Sequence, residues 1–138
     1  MKKSKPHFIL VDDDSTNNLI CKIIIKQLSA DSTIEIFTDP LLALRYLKEE
    51  YCTNSPGKTI LFLDINMPVI SGWEFLNIYK IFNKNIKDSI NIFILSSSID
   101  QKDRNNAIQN PNVIDYLEKP LTKINAEPII NKYLALSM

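Results

Sequence analysis

"FILVDDDSTNN" (8–18) sets four apolar residues directly ahead of three consecutive acids, Asp12, Asp13 and Asp14. A short, unbroken apolar run is what a parallel strand covered on both faces shows. The acids then mark the carboxyl end of that strand. Neighbouring carboxylates about 4 Å apart repel by about 4 kcal/mol at an effective dielectric of about 20. A divalent cation, a nearby lysine or exposure to solvent would offset the repulsion.

Two further runs read as buried strands, "TILFLDI" (59–65) and "INIFILSS" (90–97). "TIEIFT" (33–38) alternates more, as an edge strand does, and "VIDYLEKP" (113–120) is a fifth candidate. Helical patterns fill the gaps. Residues 16–29 place Leu19, Ile20, Ile23, Ile24 and Leu28 on one stripe, with Ser15 or Thr16 as cap. "DPLLALRYLKEEY" (39–51) begins with Asp39 as N-cap and Pro40 at the first helical position. "SGWEFLNIYKIF" (71–82) groups Phe75, Leu76, Tyr79 and Phe82. "DQKDRNNAIQN" (100–110) is poor in apolar residues and reads as a shallow, solvated helix. The last helix is placed from about Asn125, so that Pro128 falls in its first turn. Five strands alternating with five helices predict an α/β fold, a doubly wound five-stranded parallel sheet in flavodoxin-like order 2-1-3-4-5.

The bulk numbers narrow the function. The 138 residues suffice for one domain with its own core. Sixteen basic and sixteen acidic residues balance, which argues against nucleic acid or a membrane surface as main partner. "MKKSKPH" is basic but no long apolar run follows, and no run is long enough to span a bilayer, so a cytoplasmic protein is expected. Cys21 and Cys52 are too few for a disulfide framework or a zinc site. Two glycines leave no Gly-rich phosphate loop.

In a sheet of this kind the ligand site lies beyond the carboxyl ends of the strands. Asp12 and Asp13 end the first strand, Asp64 the third, Ser96 the fourth, and Lys119–Pro120 the fifth. Three carboxylates, a hydroxyl and an ammonium are thus expected in one pocket, a donor set that suits Mg²⁺.

"VDDDST", "FLDINMPVISGWEFL", "ILSSS" and "DYLEKP", in this order and at this spacing, resemble the receiver domain of bacterial two-component response regulators. The resemblance covers almost the whole chain and implies a single receiver domain over 1–138, with no output domain expected. It implies that Asp64 accepts a phosphoryl group from a histidine kinase or phosphotransfer protein. Mg²⁺, with Mn²⁺ as the substitute, would be held by Asp13, Asp64, the backbone carbonyl of Asn66 and Asp12 through water. Lys119 would pair with the phosphoryl oxygens and Ser96 would reach for the phosphoryl group. Tyr116 would swing with Ser96, and Asn66 and Ser98 would set the phosphoryl lifetime. Lys119–Pro120 is expected to be cis. The output would be a protein target on the face of the fourth helix (100–110), fifth strand and fifth helix, and self-phosphorylation and self-dephosphorylation the only chemistry.

"VDDDST" also fits the D-x-D-x-T nucleophile motif of haloacid-dehalogenase-like phosphatases, with Asp12 as nucleophile, Asp14 as acid and Thr16 behind them. That reading needs an acidic pair after the lysine, where only Glu127 stands, and leaves "FLDINMP" unexplained. Asp14 is otherwise a surface acid, His7 a structural residue at a strand start, and Trp73 a packing residue.

Overall fold

The computed structural model describes residues 6–51 and 59–134. Strands β1 (His7–Val11), β2 (Thr33–Phe37), β3 (Thr59–Leu63), β4 (Ile90–Ser96) and β5 (Val113–Glu118) pair in parallel in the order β2-β1-β3-β4-β5. The helices are α1 (Ser15–Leu28), α2 (Pro40–Glu49), α3 (Gly72–Tyr79), α4 (Lys84–Ser89), α5 (Gln101–Gln109) and α6 (Lys123–Leu134). The expected α/β sheet and strand order are present. The expected helix count is not, because α4 is additional. It has six residues and buries only Ile86, so it carries no periodic stripe to read. The fourth and fifth helices of the sequence reading are therefore α5 and α6. Cys52 and the rest of the 52–58 connection lie outside the described residues.

Alternation along the strands builds two cores. Phe8, Leu10, Ile60, Phe62, Phe93 and Leu95 face Cys21 and Ile25 of α1 and Ala126, Ile129 and Ile130 of α6. Ile9, Val11, Leu61, Leu63, Ile92 and Ile94 face α2, α3 and α4, with Ala107 the one buried residue of α5. The shallow, solvated character read for 100–110 is thus observed.

Three details depart from the sequence reading. Helix α1 does not bury the Leu19–Ile20–Ile23 side, since these residues are 55%, 37% and 48% exposed. It buries Asn17, Asn18, Cys21 and Ile25, with Ile24 and Leu28 half-buried. The cause is polar. Asn17 Nδ2 donates to the Asp12 carboxylate and Asn18 Nδ2 to the Asp12 carbonyl, both at 2.8 Å, and these bonds rotate the helix. Its cap is Asp14 rather than Ser15 or Thr16.

The last helix begins at Lys123, not near Asn125, and Pro128 lies inside it. Thr122 and Asn125 exchange bonds at its start, Thr122 N–H to Asn125 Oδ1 at 2.8 Å and Asn125 N–H to Thr122 Oγ1 at 3.2 Å. Pro128 deprives the Ile124 carbonyl of its helical donor, and Ile124 is 89% exposed, so water can serve it.

Finally, β5 carries a bulge. Ile92 pairs with Val113 but Phe93 pairs with Asp115. The extra residue, Ile114, shifts the alternation, so that Val113 and Tyr116 both join the core under α2 and α3.

Candidate functional site

The sheet reverses its winding between β1 and β3, and the residues just past these strands are neighbours. The Asp64 N–H donates to the Val11 carbonyl at 3.0 Å, which sets Asp64 beside Asp12. Asp12 and Asp64 are 4% and 5% exposed, while Asp13 faces solvent. Carboxylate oxygens of Asp12, Asp13 and Asp64 all lie within 4.8 Å of one another. Lys119 reaches in from the end of β5, its Nζ 2.7 Å from Asp12 Oδ2 and 3.4 Å from Asp64 Oδ1. Its backbone N–H donates to the Ser96 carbonyl at 3.0 Å, fixing Lys119 against the end of β4. The Lys119–Pro120 peptide is cis.

The three consecutive acids have three different tasks. Asp12 is buried and bonded at both oxygens: Oδ1 accepts from the Asp14 N–H at 2.9 Å, and Oδ2 accepts from Asn17 and Lys119. Asp13 is the exposed acid of the cluster. Asp14 accepts from the N–H groups of Thr16 at 2.9 Å and Asn17 at 3.3 Å, capping α1 at its positive end. This use of Asp14 takes away the acid that the dehalogenase-like reading requires.

One lysine does not balance two buried carboxylates and a third at the rim. Burial is the largest cause pushing the Asp64 carboxyl up to about 6, with Asp12 adding to the rise and Lys119 opposing it. The nearby Asn66 backbone N–H also opposes the rise. Hard oxygen donors in excess of positive charge fit Mg²⁺, so the residues present suit the ion that the resemblance implies.

Among the described residues, one glycine holds a decisive position. A Cβ on Gly72 would stand 2.6 Å from the Asp64 carbonyl oxygen and 2.9 Å from Ile65 Cα. Only glycine lets the start of α3 close against the backbone that follows β3, where the Gly72 N–H donates to Ile65 O at 2.8 Å. Ser71 and Glu74 form a capping box that holds this end of α3.

Ser96 is fully buried at the end of β4, and its Oγ accepts from the Ser98 N–H at 3.1 Å. Tyr116 is 5% exposed and donates its hydroxyl to the Ser98 carbonyl at 2.6 Å, so the ring expected to swing is already inside. Asn66 is exposed and Ser98 half-buried at the rim. His7 lies at the far end of β1, stacked on Tyr51 and 3.3 Å from Thr59 Oγ1. The chain matches the family model described as response regulator receiver domain over residues 8–131.

This chain belongs to the receiver domain family. Its fold matches a two component response regulator from Cytophaga hutchinsonii with a TM-score of 0.80 and 28% identity, covering 95% of this chain and 98% of that one. A response regulator receiver protein from Dyadobacter fermentans matches with a TM-score of 0.82 at 24% identity, covering 92% and 96%. The receiver domain of a sensor histidine kinase from Pseudomonas aeruginosa, with a magnesium ion coordinated in its active site cleft, matches with a TM-score of 0.75 at 20% identity, covering 96% and 99%. No curated protein sequence matches. No helix among the described residues of this receiver domain is long and apolar enough to cross a membrane.

The sequence reading does not single out Asn17, Asn18, Gly72 or Asp103. "STNN" after the acids is the available signal for the two asparagines, since buried carboxylates require donors. The signal for Gly72 is its rarity, being one of two glycines in the chain. Asp103 has no local signal. Trp73, expected to pack, does so, and it also donates Nε1–H to Asp103 at 3.2 Å.

Proposed function

We propose that this receiver domain takes a phosphoryl group on Asp64 from the phosphohistidine of a kinase or phosphotransfer protein. The observation that carries the reading is Lys119 Nζ set between Asp12 and Asp64, at 2.7 and 3.4 Å, within a cluster of three carboxylates. An Asp64 oxygen forms the bond to phosphorus as the donor's P–N bond breaks, and the histidine nitrogen leaves with the electron pair. Asp64 must be ionised to attack, which above about pH 6 it is. Lys119 meets the phosphoryl oxygens and lowers the cost of bringing anion to anion.

Asp13, Asp64 and the Asn66 carbonyl would hold Mg²⁺, or Mn²⁺, with Asp12 acting through water. The bound ion supplies charge neutralisation at the phosphoryl oxygens. Hydrolysis reverses the modification: water oxygen bonds to phosphorus, the bond to Asp64 breaks, and the water proton leaves with phosphate or to solvent. Asn66 and Ser98 flank that route and set its rate.

Ser96 is the hydroxyl that engages the phosphoryl group. Because Tyr116 already occupies its inner position, phosphorylation favours this arrangement over others rather than drawing the ring in from solvent. The face of α5, β5 and α6 then binds a protein target. Intact mass after incubation with acetyl phosphate and Mg²⁺ tests the reading. One phosphoryl group is expected on wild type and on Ser96→Ala, and none on Asp64→Asn. Gain of phosphate that survives Asp64→Asn but vanishes in Asp12→Asn would overturn it.

A further inference from the structure

The Asp103 carboxylate ties together two elements that flank the acceptor. Oδ1 accepts from Trp73 Nε1 at 3.2 Å, and Oδ2 accepts from Ser98 Oγ at 2.7 Å. Trp73 is the residue after Gly72, which presses on the Asp64–Ile65 backbone. Ser98 is the centre of the loop after β4. Its N–H holds Ser96 Oγ, its carbonyl holds the Tyr116 hydroxyl, and its Oγ accepts from the Asp100 N–H at 3.2 Å. The chain of contacts is closed: acceptor backbone, Gly72, Trp73, Asp103, Ser98, then Ser96 and Tyr116.

Asp103 sits in the first turn of α5, which is otherwise weakly held, with Ala107 its one buried residue. Arg104, the next residue, lies over the Tyr116 ring at 4.9 Å and 3.7 Å from Glu118. The α5 turn that carries Asp103 therefore lies against Tyr116 from one side while Asp103 holds Ser98 from the other.

We infer that Asp103 is a positioning residue: it clasps the loop after β4 to the start of α3, and through Ser98 it fixes Ser96 and Tyr116 where the phosphoryl group needs them. The inference rests on the phosphoacceptor reading of Asp64. With the clasp intact, the Ser98 loop covers the route of attacking water. Without it the loop relaxes and phosphate is lost sooner. A hydrogen bond contributes about 1 kcal/mol, which corresponds to about a fivefold change in rate.

The test compares wild type, Asp103→Ala, Ser98→Ala and the double variant, each loaded from acetyl phosphate with Mg²⁺ and followed by loss of phosphoryl mass. Each single variant should lose phosphate about fivefold faster, and the double variant should fall well short of the product of the two effects, because both remove the shared Ser98–Asp103 bond. Asp103→Asn keeps an acceptor for Trp73 and gains a donor toward Ser98 Oγ, and should stay near wild type. Rates unchanged in Asp103→Ala, or effects that multiply in the double variant, would overturn the proposal. Amide exchange in 96–100 and emission from Trp73, the single tryptophan, are read without any phosphodonor. Faster exchange and a red-shifted emission are expected in Asp103→Ala, and unchanged values overturn the clasp. A wild type that takes no phosphoryl group would instead overturn the reading of Asp64, and the exchange data would still decide the clasp.

Discussion

Replacing Asp64 by asparagine should stabilise the metal-free protein, by an amount that depends on pH. Burial, reinforced by Asp12, raises the Asp64 carboxyl from 3.8 to about 6 in the folded chain. The folded state therefore holds that proton more tightly than the unfolded state does. The favourable contribution is complete below pH 3.8 and is lost as pH rises through about 6. Each pH unit between the two values corresponds to about 1.36 kcal/mol, so the ionised Asp64 costs about 3 kcal/mol at pH 7. The asparagine side chain keeps the shape without the charge. It forgoes the 3.4 Å contact with Lys119, but Lys119 retains Asp12 at 2.7 Å. Thermal and urea unfolding in EDTA, from pH 4 to pH 8, measures the difference. At pH 7 Asp64→Asn should melt about 10 °C higher, and the gap should close toward pH 4. Saturating Mg²⁺ should close it too at pH 7, because wild type gains about 2.7 kcal/mol at about a hundredfold excess over Kd. A variant no more stable than wild type at pH 7, or a gap independent of pH, would mean that the ionised Asp64 carboxylate does not destabilise the fold.

Gly72→Ala should lower the unfolding free energy by about 1–3 kcal/mol, measured by urea denaturation, and slow acetyl phosphate loading, since the added methyl meets backbone rather than a flexible side chain. Asp13→Ala removes the solvent-facing acid of the cluster; calorimetry should show the Mg²⁺-induced rise in Tm abolished, with the metal-free Tm equal to wild type or higher. Asn17→Leu leaves the Asp12 carboxylate one donor short and should weaken Mg²⁺ binding about 10–100-fold by titration. Asn66→Arg should lengthen the phosphoryl lifetime, measured by mass after removal of donor, by obstructing the attacking water; an unchanged lifetime would place that water elsewhere.

Much of this receiver domain is legible in its sequence because its signals are local. Central parallel strands must be apolar on both faces, and "FILV", "TILFL" and "INIFIL" say so directly. One cap is written in the chain as well: Asp39 with Pro40 is read from adjacent residues. Once the strand order follows, the site follows with it, since Asp12, Asp64, Ser96 and Lys119 each stand at a strand's carboxyl end.

What the sequence could not disclose depends on contacts between distant segments. Apolar periodicity places Leu19, Ile20 and Ile23 inward, yet the need of buried Asp12 for donors turns Asn17 and Asn18 to the sheet instead. The loss outside is small for three half-exposed aliphatic side chains, while an unpaired buried carboxylate costs several kcal/mol, on the order of a lost ion pair. Strict alternation separates Val113 from Tyr116, and only the register of β5 against β4 shows the bulge that puts both on one face. The bond from Trp73 to Asp103 spans thirty residues, and no local pattern foretells it. The sheet, the carboxylates and the lysine are legible in the chain alone, because each follows from patterning within a strand and its end. The tertiary structure alone decided which way α1 faces, where Tyr116 lies and what holds Ser98, because each depends on how separate segments satisfy one another's buried polar groups.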